Sequence, residues 1–432
     1  MLSSAWKYVP GNEYCVKVTD GTHDSPKQAE CGKPLITSKH IKGDVIDFDT
    51  AYLISEHDFN EINKRSKVDQ WDVIISMIGA YCGFCFIESN EEIEYAVKNV
   101  GLFKAGTEVN AKWLYYYLNS PIGRAHLDAV KSGSTQPYIA LGALRNLPIL
   151  VPKEDDVKEK IVAILDAIDT KIRVNNRINA ELEAMAKTLY NYWFVQFDFP
   201  DDSPQGQGKP YKTSGGKMVY NPTLKREIPE GWEDCQLGDY LKFKRGISYK
   251  SGDIQDEGVP FLNLNSFSLS GEFKQTGTKY YNGKFKPENK LDAGELVIAI
   301  TDVTRNADII GKAFVIPDVF DEQPLISCDV ACVSSKILGE AYLEQLFNSD
   351  SYHKYIKHFA SGTLVLHLDL QGVKWFKTHL PPSNLLEKFN HHCDSLFKQR
   401  DIVLKENVYL ESLRDWLLPM LMNGQVTVGE AS

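Results

Sequence analysis

The chain has 432 residues, 43% hydrophobic and 25% charged, with a net charge of −10. That length exceeds one ordinary core and predicts two or three folded domains, and the composition excludes a disordered or fibrous chain. No run approaches the roughly 18 apolar residues of a membrane span, and the opening MLSSAWKYVPGNEY lacks the basic start and apolar run of a secretory signal, so a cytoplasmic protein is expected.

From residue 1 to 152, short apolar runs alternate with Gly, Pro, Asn and Asp. VIDFDTAYLIS, WDVIISMIG and YCGFCFIE read as strands. AKWLYYYLNSPIGRAHLDAV reads as one helix, with Trp113, Tyr116, Tyr117 and Leu118 on its apolar face. Cys82-Gly-Phe-Cys85 is a lone CxxC with neither a second close pair nor a His pair, so it reads as buried thiols and not as zinc ligands.

Residues 153–197 carry acidic residues in the first turn and no glycine or proline, which predicts a helix. At about 1.5 Å per residue it would be roughly 60 Å long. Ile161, Ile168, Asn175, Leu182 and Leu189 recur in a seven-residue rhythm, with Leu165, Ile172, Asn179 and Ala186 as a second seam. Residues 198–231 are dense in Pro, Gly, Ser and Asp and read as a linker, partly ordered at best.

A second block spans 232–382. VPFLNLNSFSL, GELVIAITDV, KAFVIPD and DVACVSS are its expected strands, and AYLEQLFNSDSYHKYIKHFA its helix. Residues 383–425 form a second long amphipathic helix with a stripe of Phe389, Leu396, Val403, Leu410 and Leu417.

The two halves repeat. KSGSTQPYIALGALRNLPILVP and FASGTLVLHLDLQGVKWFKTHLPP share Ser-Gly, a hydroxyl residue, an apolar stretch and a proline exit, about 229 positions apart. Asn119-Ser120 and Asn348-Ser349 keep the same offset. Asp166, Asn179, Leu182, Glu183 and Leu189 are matched by Asp394, Asn407, Leu410, Glu411 and Leu417 in the second helix. A tandem duplication follows: an α+β fold with two similar globular domains separated by two long helices that form an antiparallel coiled coil, related by a pseudo-two-fold. Asn179 and Asn407 would lie in the seam and fix its register at some cost in stability. Leu182, Leu189, Leu410 and Leu417 would pack around them.

Two similar readers on a rigid spacer suit a bipartite linear target, and double-stranded DNA is such a target. The acidic net charge argues against a free-standing nucleic-acid binder but leaves room for local basic faces. In the first domain, DGTHDSPK supplies Thr22, His23, Ser25 and Lys27, and LITSKHIKG supplies Lys39, His40 and Lys42. In the second, KFKRGISYKSG supplies Lys242, Lys244, Arg245 and Lys250 with no acid between them. Further on, KQTGTKYYNGKFKPENK interleaves Lys279 and Lys284 with Tyr280, Tyr281 and Phe285, a pattern that a solvated charged hairpin would share. The repeated loops add Ser132, Ser134, Thr135 and Gln136 in the first domain, and Ser361 and Thr363 in the second; a plain turn into the last strand is their bland alternative.

On the DGTHDSPK opening, the SGSTQP-to-LPILVP ending, the GGKMVYN…REIPEGWE entry and the two spacer helices, the chain resembles the specificity (S) subunits of type I restriction–modification systems over nearly its whole length. The resemblance implies target recognition domains at 1–152 and 232–382, and conserved spacer helices at 153–197 and 383–425. It also implies two methyltransferase (M) subunits as partners, with motor–nuclease (R) subunits joining for cleavage. An adenine methyltransferase needs a glycine-rich cofactor loop and an (N/D)PPY-type tetrapeptide; Asn221-Pro222-Thr223 and Phe199-Pro200-Asp201 do not complete one. No Walker loop is present, and Asp155-Asp156 and Asp201-Asp202 read as capping and solvated residues. No catalytic or metal-ligating residue is expected, and S-adenosylmethionine, Mg and ATP would belong to partner subunits. Three alternatives stand beside this: an S-like adaptor of another defence or methylation system, a single-chain methyltransferase or nuclease, and a coiled-coil scaffold that binds protein and no DNA.

Overall fold

The computed structural model describes residues 5–204, 206–304 and 306–426, so the first four residues of the MLSSAWKYVPGNEY opening lie outside the described residues. The chain divides into two compact units. One runs to Ile172 and resumes at Tyr409; the other spans Arg173–Val408.

In the first unit, strand Trp6–Pro10 pairs antiparallel with Pro148–Pro152 and closes the domain on itself. A four-stranded antiparallel sheet has the order Lys17–Asp20, Val100–Lys104, Asp72–Ser76, Cys85–Ile87. The third of these, DVIIS, is buried along its whole length because both sheet faces are covered. Val73 and Ile75 face one core with Phe103, Trp113 and Leu114, while Ile74 and Leu102 face another. A smaller sheet centres on Lys33–Thr37, which runs parallel to Ala96–Lys98. Ile161, Val162 and Leu165 of the first long helix enter the main core, together with Leu418, Leu421 and Met422 from the end of the second.

The single helix expected after residue 110 is two, Glu108–Asn119 and Pro121–Val130. Ser120 makes the break: its Oγ donates to Tyr117 O at 2.7 Å, closing one helix, and accepts the Gly123 N–H at 3.2 Å, opening the next. Pro121 fits the first turn, where no N–H is needed. The second unit divides its helix the same way, into Glu340–Asn348 and Asp350–Ile356, with Ser349 Oγ accepting the Tyr352 N–H at 3.3 Å.

The second unit repeats the plan. Glu233–Gln236 pairs with Lys377–Leu380. The four-stranded sheet has the order Leu241–Arg245, Val330–Ser335, Leu296–Ala299, Ala313–Val315, and Val259–Leu262 runs parallel to Leu325–Ile326. The expected linker is built rather than loose. Its described residues form two hairpins, Pro200–Asp201 with Lys209–Pro210 and Met218–Asn221 with Arg226–Pro229. Phe199 stacks between Tyr211 and Trp232 at 4.7 and 5.2 Å, and Arg226 lies 4.7 Å over Phe197. The Gly and Pro content conceals this aromatic cluster.

The long helices are Asp155–Tyr190 and Ser383–Met422. Within the second unit Asn175 meets Asn407 and the Tyr190 ring lies 6.2 Å from Phe389, so the two run antiparallel. Both expected seams of the first helix are buried except for half-buried Leu189. The second helix turns a different stripe inward. Leu386, Phe389, Cys393, Phe397, Arg400 and Asn407 are buried, while Leu396, Val403, Leu410 and Leu417 lie half exposed. Its middle is drawn toward the globular part of its own unit, where Arg400 reaches Asp401 at 3.0 Å and the Val315 carbonyl, and Asp401 accepts the Asp318 N–H at 3.0 Å.

Asn407 is buried between the two helices, with Asn175 and Asn176 as its partners. Asn175 Nδ2 donates to Asn407 Oδ1 at 2.8 Å, and Asn407 Nδ2 donates to Asn176 Oδ1 at 2.8 Å. Asn179, its counterpart in the repeat, is buried with neither side-chain polar atom partnered. One turn up the first helix is matched by one turn down the second, which brings Val403 to the level of Asn179, where the symmetric place holds an amide. Asn179→Leu is therefore expected to stabilise the chain by about 1–2 kcal/mol in chemical denaturation, and Asn175→Leu to destabilise it. A destabilised Asn179→Leu would contradict this.

Candidate nucleic-acid interface

Three loops of the first unit converge through hydrogen bonds that no local pattern announces. The chain leaves strand Lys17–Asp20 at Gly21, whose N–H donates to Val100 O at 2.9 Å, while Thr22 N donates to Val97 O at 3.0 Å and Asn99 N to Thr22 O at 3.2 Å. Only glycine fits: a Cβ at Gly21 would stand 2.6 Å from Val97 O. Asn99, left-handed at φ 55° between two strands, ties the loops together. Its Oδ1 lies 3.1 Å from His23 Nδ1, and its carbonyl accepts from Ser38 Oγ at 2.6 Å. Ser38 Oγ in turn accepts the N–H groups of Met77 and Ile78 at 3.1 and 3.3 Å. Ile78 bridges to Tyr138, which closes the hairpin begun at Ser132 through paired bonds of 2.9 and 2.8 Å. The DGTHDSPK loop, the ITSKHIKG loop and the Ser-Gly hairpin thus share one neighbourhood.

The second unit repeats the backbone bonds of this frame. Gly246 N donates to Val330 O at 3.1 Å, Ile247 N to Ile326 O at 2.9 Å and Cys328 N to Ile247 O at 2.8 Å. Thr22 bridges in parallel to Lys98, and Ile247 likewise to Ser327. The hairpin Ser361–His367 pairs with Thr301 as Ser132–Tyr138 pairs with Ile78, and Leu368 N reaches Ile300 O at 2.9 Å as Ile139 N reaches Met77 O. Thr301 Oγ1 donates to Asp329 Oδ1 at 2.9 Å, joining the hairpin to the strand exit. The DGTHDSPK and KFKRGISYKSG segments, which look unrelated in sequence, therefore occupy one position of the repeat. Their side chains differ. Thr22-His23-Asp24-Ser25 stands where Ile247-Ser248-Tyr249-Lys250 stands, and Ser134-Thr135-Gln136 is replaced by Thr363-Leu364-Val365, with Leu364 88% exposed.

The expected contact residues separate accordingly. His23, Ser25, Lys27, Lys39, Ser132, Ser134, Thr135 and Gln136 are exposed, as are Arg245, Lys250, Ser361 and Thr363. Thr22 is buried, its Oγ1 accepting the Asp24 N–H at 3.1 Å. His40 is wholly buried and leaves the set: its Nδ1 accepts the Thr37 N–H at 2.9 Å, capping a short helical turn. Burial, aided by Lys39, lowers its pKa. Lys42 is exposed but paired with Asp47 at 2.7 Å. The basic run at 242–245 is split by the strand pleat, with Lys242 and Lys244 on the face opposite Phe243 and Arg245, and Lys244 donating to Glu288 O. Lys279 and Lys284 are exposed beside a small core where Tyr281 stacks on Phe261 at 5.2 Å and Phe285 packs, and which Ile247 and Tyr249 of the shared loop also contact, Tyr249 at 5.0 Å from Phe261. Tyr281 and Phe285 cover that core, while Tyr280 is exposed. No sequence pattern marks Ser38, Arg65, Lys98 or Asn99; Arg65 stands among other charged residues on helix EHDFNEINKRS.

Cys82 and Cys85 are buried free thiols, and burial pushes Cys85 up to about 11. Among the described residues no group of three or more His, Cys, Asp or Glu is placed to hold a metal, and no helix is long and apolar enough to cross a membrane.

The two units are thus tandem repeats of one α+β plan, with a common backbone loop frame and divergent exposed side chains. Residues 24–184 match the family described as the type I restriction modification DNA specificity domain. The type I restriction enzyme MjaIX specificity subunit of Methanocaldococcus jannaschii is 25% identical over 330 residues, 74% of this chain and 70% of the relative. The HindI specificity subunit of Haemophilus influenzae is 24% identical over 353 residues, 69% of this chain and 73% of the relative. The crystal structure of the type I restriction-modification S subunit from M. genitalium shares the fold, with a TM-score of 0.55 at 15% identity and 96% of each chain covered. Residues 24–184 thus carry the family's DNA specificity domain, and most of the chain is similar to the specificity subunits of type I restriction enzymes.

Proposed function

We propose that this chain reads a split sequence in double-stranded DNA, each domain recognising one half, as the DNA-specificity component of a type I restriction–modification complex. The observation that carries this is the loop frame built twice from the same backbone bonds with different side chains outward. One scaffold with two vocabularies is what two unlike half-sites require. The first hairpin offers hydroxyls and an amide for hydrogen bonding to base edges; the second offers Leu364 and Val365, suited to a thymine methyl. The two long helices, held in register by Asn175 and Asn407, would set the gap between half-sites and dock two methyltransferase subunits. Methyl transfer would then be the work of those subunits with S-adenosylmethionine, and cleavage that of motor–nuclease subunits with Mg and ATP. This chain contributes no reacting group. Mapping modified adenines across the genome with and without its gene tests the reading: the modification is expected to vanish from a single two-part sequence, and an unchanged map would refute it.

A further inference from the structure

Asp20 ends its strand with a carboxylate that is nearly buried, at 4% exposure, yet both of its partners reach out to solvent. Arg65 Nη2 donates to Oδ1 at 2.5 Å, and His23 Nε2 lies 2.9 Å from Oδ2; those two side chains are 62% and 63% exposed. Arg65 comes from the last turn of helix Glu56–Ser66, which Ser66 anchors by donating to Asp20 O at 2.8 Å. Exposed ion pairs add little stability, and a buried carboxylate is costly to desolvate. What the arrangement does achieve is loss of freedom. It holds a guanidinium on the wall of an open depression lined also by Thr22, Asp24 and Ser25, with the His23 imidazole on the other oxygen of Asp20.

The repeat supplies an independent observation. Gly21 and Gly246 are equivalent, so the residue before each is equivalent too, and the second domain places Arg245, exposed, where the first has Asp20. Each domain thus has an exposed arginine associated with this backbone position, the second as the residue itself and the first through the Asp20–Arg65 pair. The surroundings in the first domain also select a ligand. Asp24, Asp58 and Glu61 line the depression, which disfavours phosphate and suits base-edge amino groups, while a guanidinium matches the O6 and N7 acceptors of guanine.

We propose that Arg65 reads a guanine edge in the half-site of the first domain, with Asp20 as its positioning residue. This rests on the proposed function above. The test uses the assembled methyltransferase complex containing the full chain, and measures methylation of a duplex library randomised in both half-sites. Arg65→Ala is expected to reduce the preference for guanine at one position of one half-site by about tenfold or more, leaving the other half-site intact. Arg65→Lys should not restore it, because a lysine cannot form the fork. Asp20→Asn should weaken preference at the same position and no other, a result that a purely structural role would not produce. Equal loss on all sequences with a shallower salt dependence, or unchanged preference with only a lower melting temperature, would overturn the proposal. If the unaltered complex shows no preference in that half-site, the reading of the first domain itself fails, and the proposal with it.

Discussion

Gly246→Ala is expected to destabilise the chain by about 3 kcal/mol, a large share of the stability of an ordinary domain. A Cβ there would stand 2.2 Å from Ser327 O and 2.3 Å from Ile326 O, both fixed backbone atoms, because the next residue donates its N–H to Ile326 O at 2.9 Å. The strand exit would have to lift away, taking Ser248, Tyr249 and Lys250 with it. Gly21→Ala should be milder, since its nearest atom, Val97 O, is 2.6 Å away. Chemical denaturation ranks the two. In the assembled complex each change should degrade one half of the recognised sequence only. An alanine tolerated within about 0.5 kcal/mol at both places would mean that the loop frame is not the rigid element described.

The second large effect concerns acid. Glu344 is 5% exposed on helix Glu340–Asn348; its Oε1 accepts the Val315 N–H at 2.9 Å, and Gln345 Nε2 lies 3.3 Å from its other oxygen. Burial raises its pKa to about 7, with Glu272 adding to the rise and the Arg400 guanidinium opposing it. Between the ordinary value of 4.5 and about 7 the folded chain holds a proton that the unfolded chain releases. Stability therefore falls as pH rises through that window, and is regained on acidification. Glu344→Gln keeps an acceptor for the Val315 N–H and removes the charge. It should raise stability at pH 8 by on the order of 1–3 kcal/mol, with little change near pH 5. Glu183, raised by burial to about 8, would leave part of the slope in place. An identical pH slope in the variant would show that Glu344 is not its source.

The duplication, the long helices and the strands were legible because each depends on local pattern: apolar runs, heptads, and repeated Ser-Gly and Asn-Ser pairs. The split at Ser120 was legible in principle, since Ser-Pro is a helix opening, but the apolar face running across it concealed the break. The ordered hairpins after residue 198 were not legible, because Phe199, Tyr211 and Trp232 find one another only in three dimensions. The candidate interface was legible as separate loops but not as one place. Asn99 and Ser38 join those loops across long stretches of chain, and nothing in KNVG or TSKH announces it. His40 misleads for the opposite reason: flanked by lysines, it reads as a surface residue, while the strand before it turns it inward. Arg65 hides among ordinary helix charges until Asp20 is seen beneath it.

Under the proposed function each domain owns half of a DNA sequence. The most direct measurement replaces residues 1–152 with the first domain of a specificity subunit of different sequence and maps the adenines modified by the assembled complex. One half of the two-part site is expected to change while the other half and the gap stay as they were. A site altered in both halves, or in neither, would contradict it.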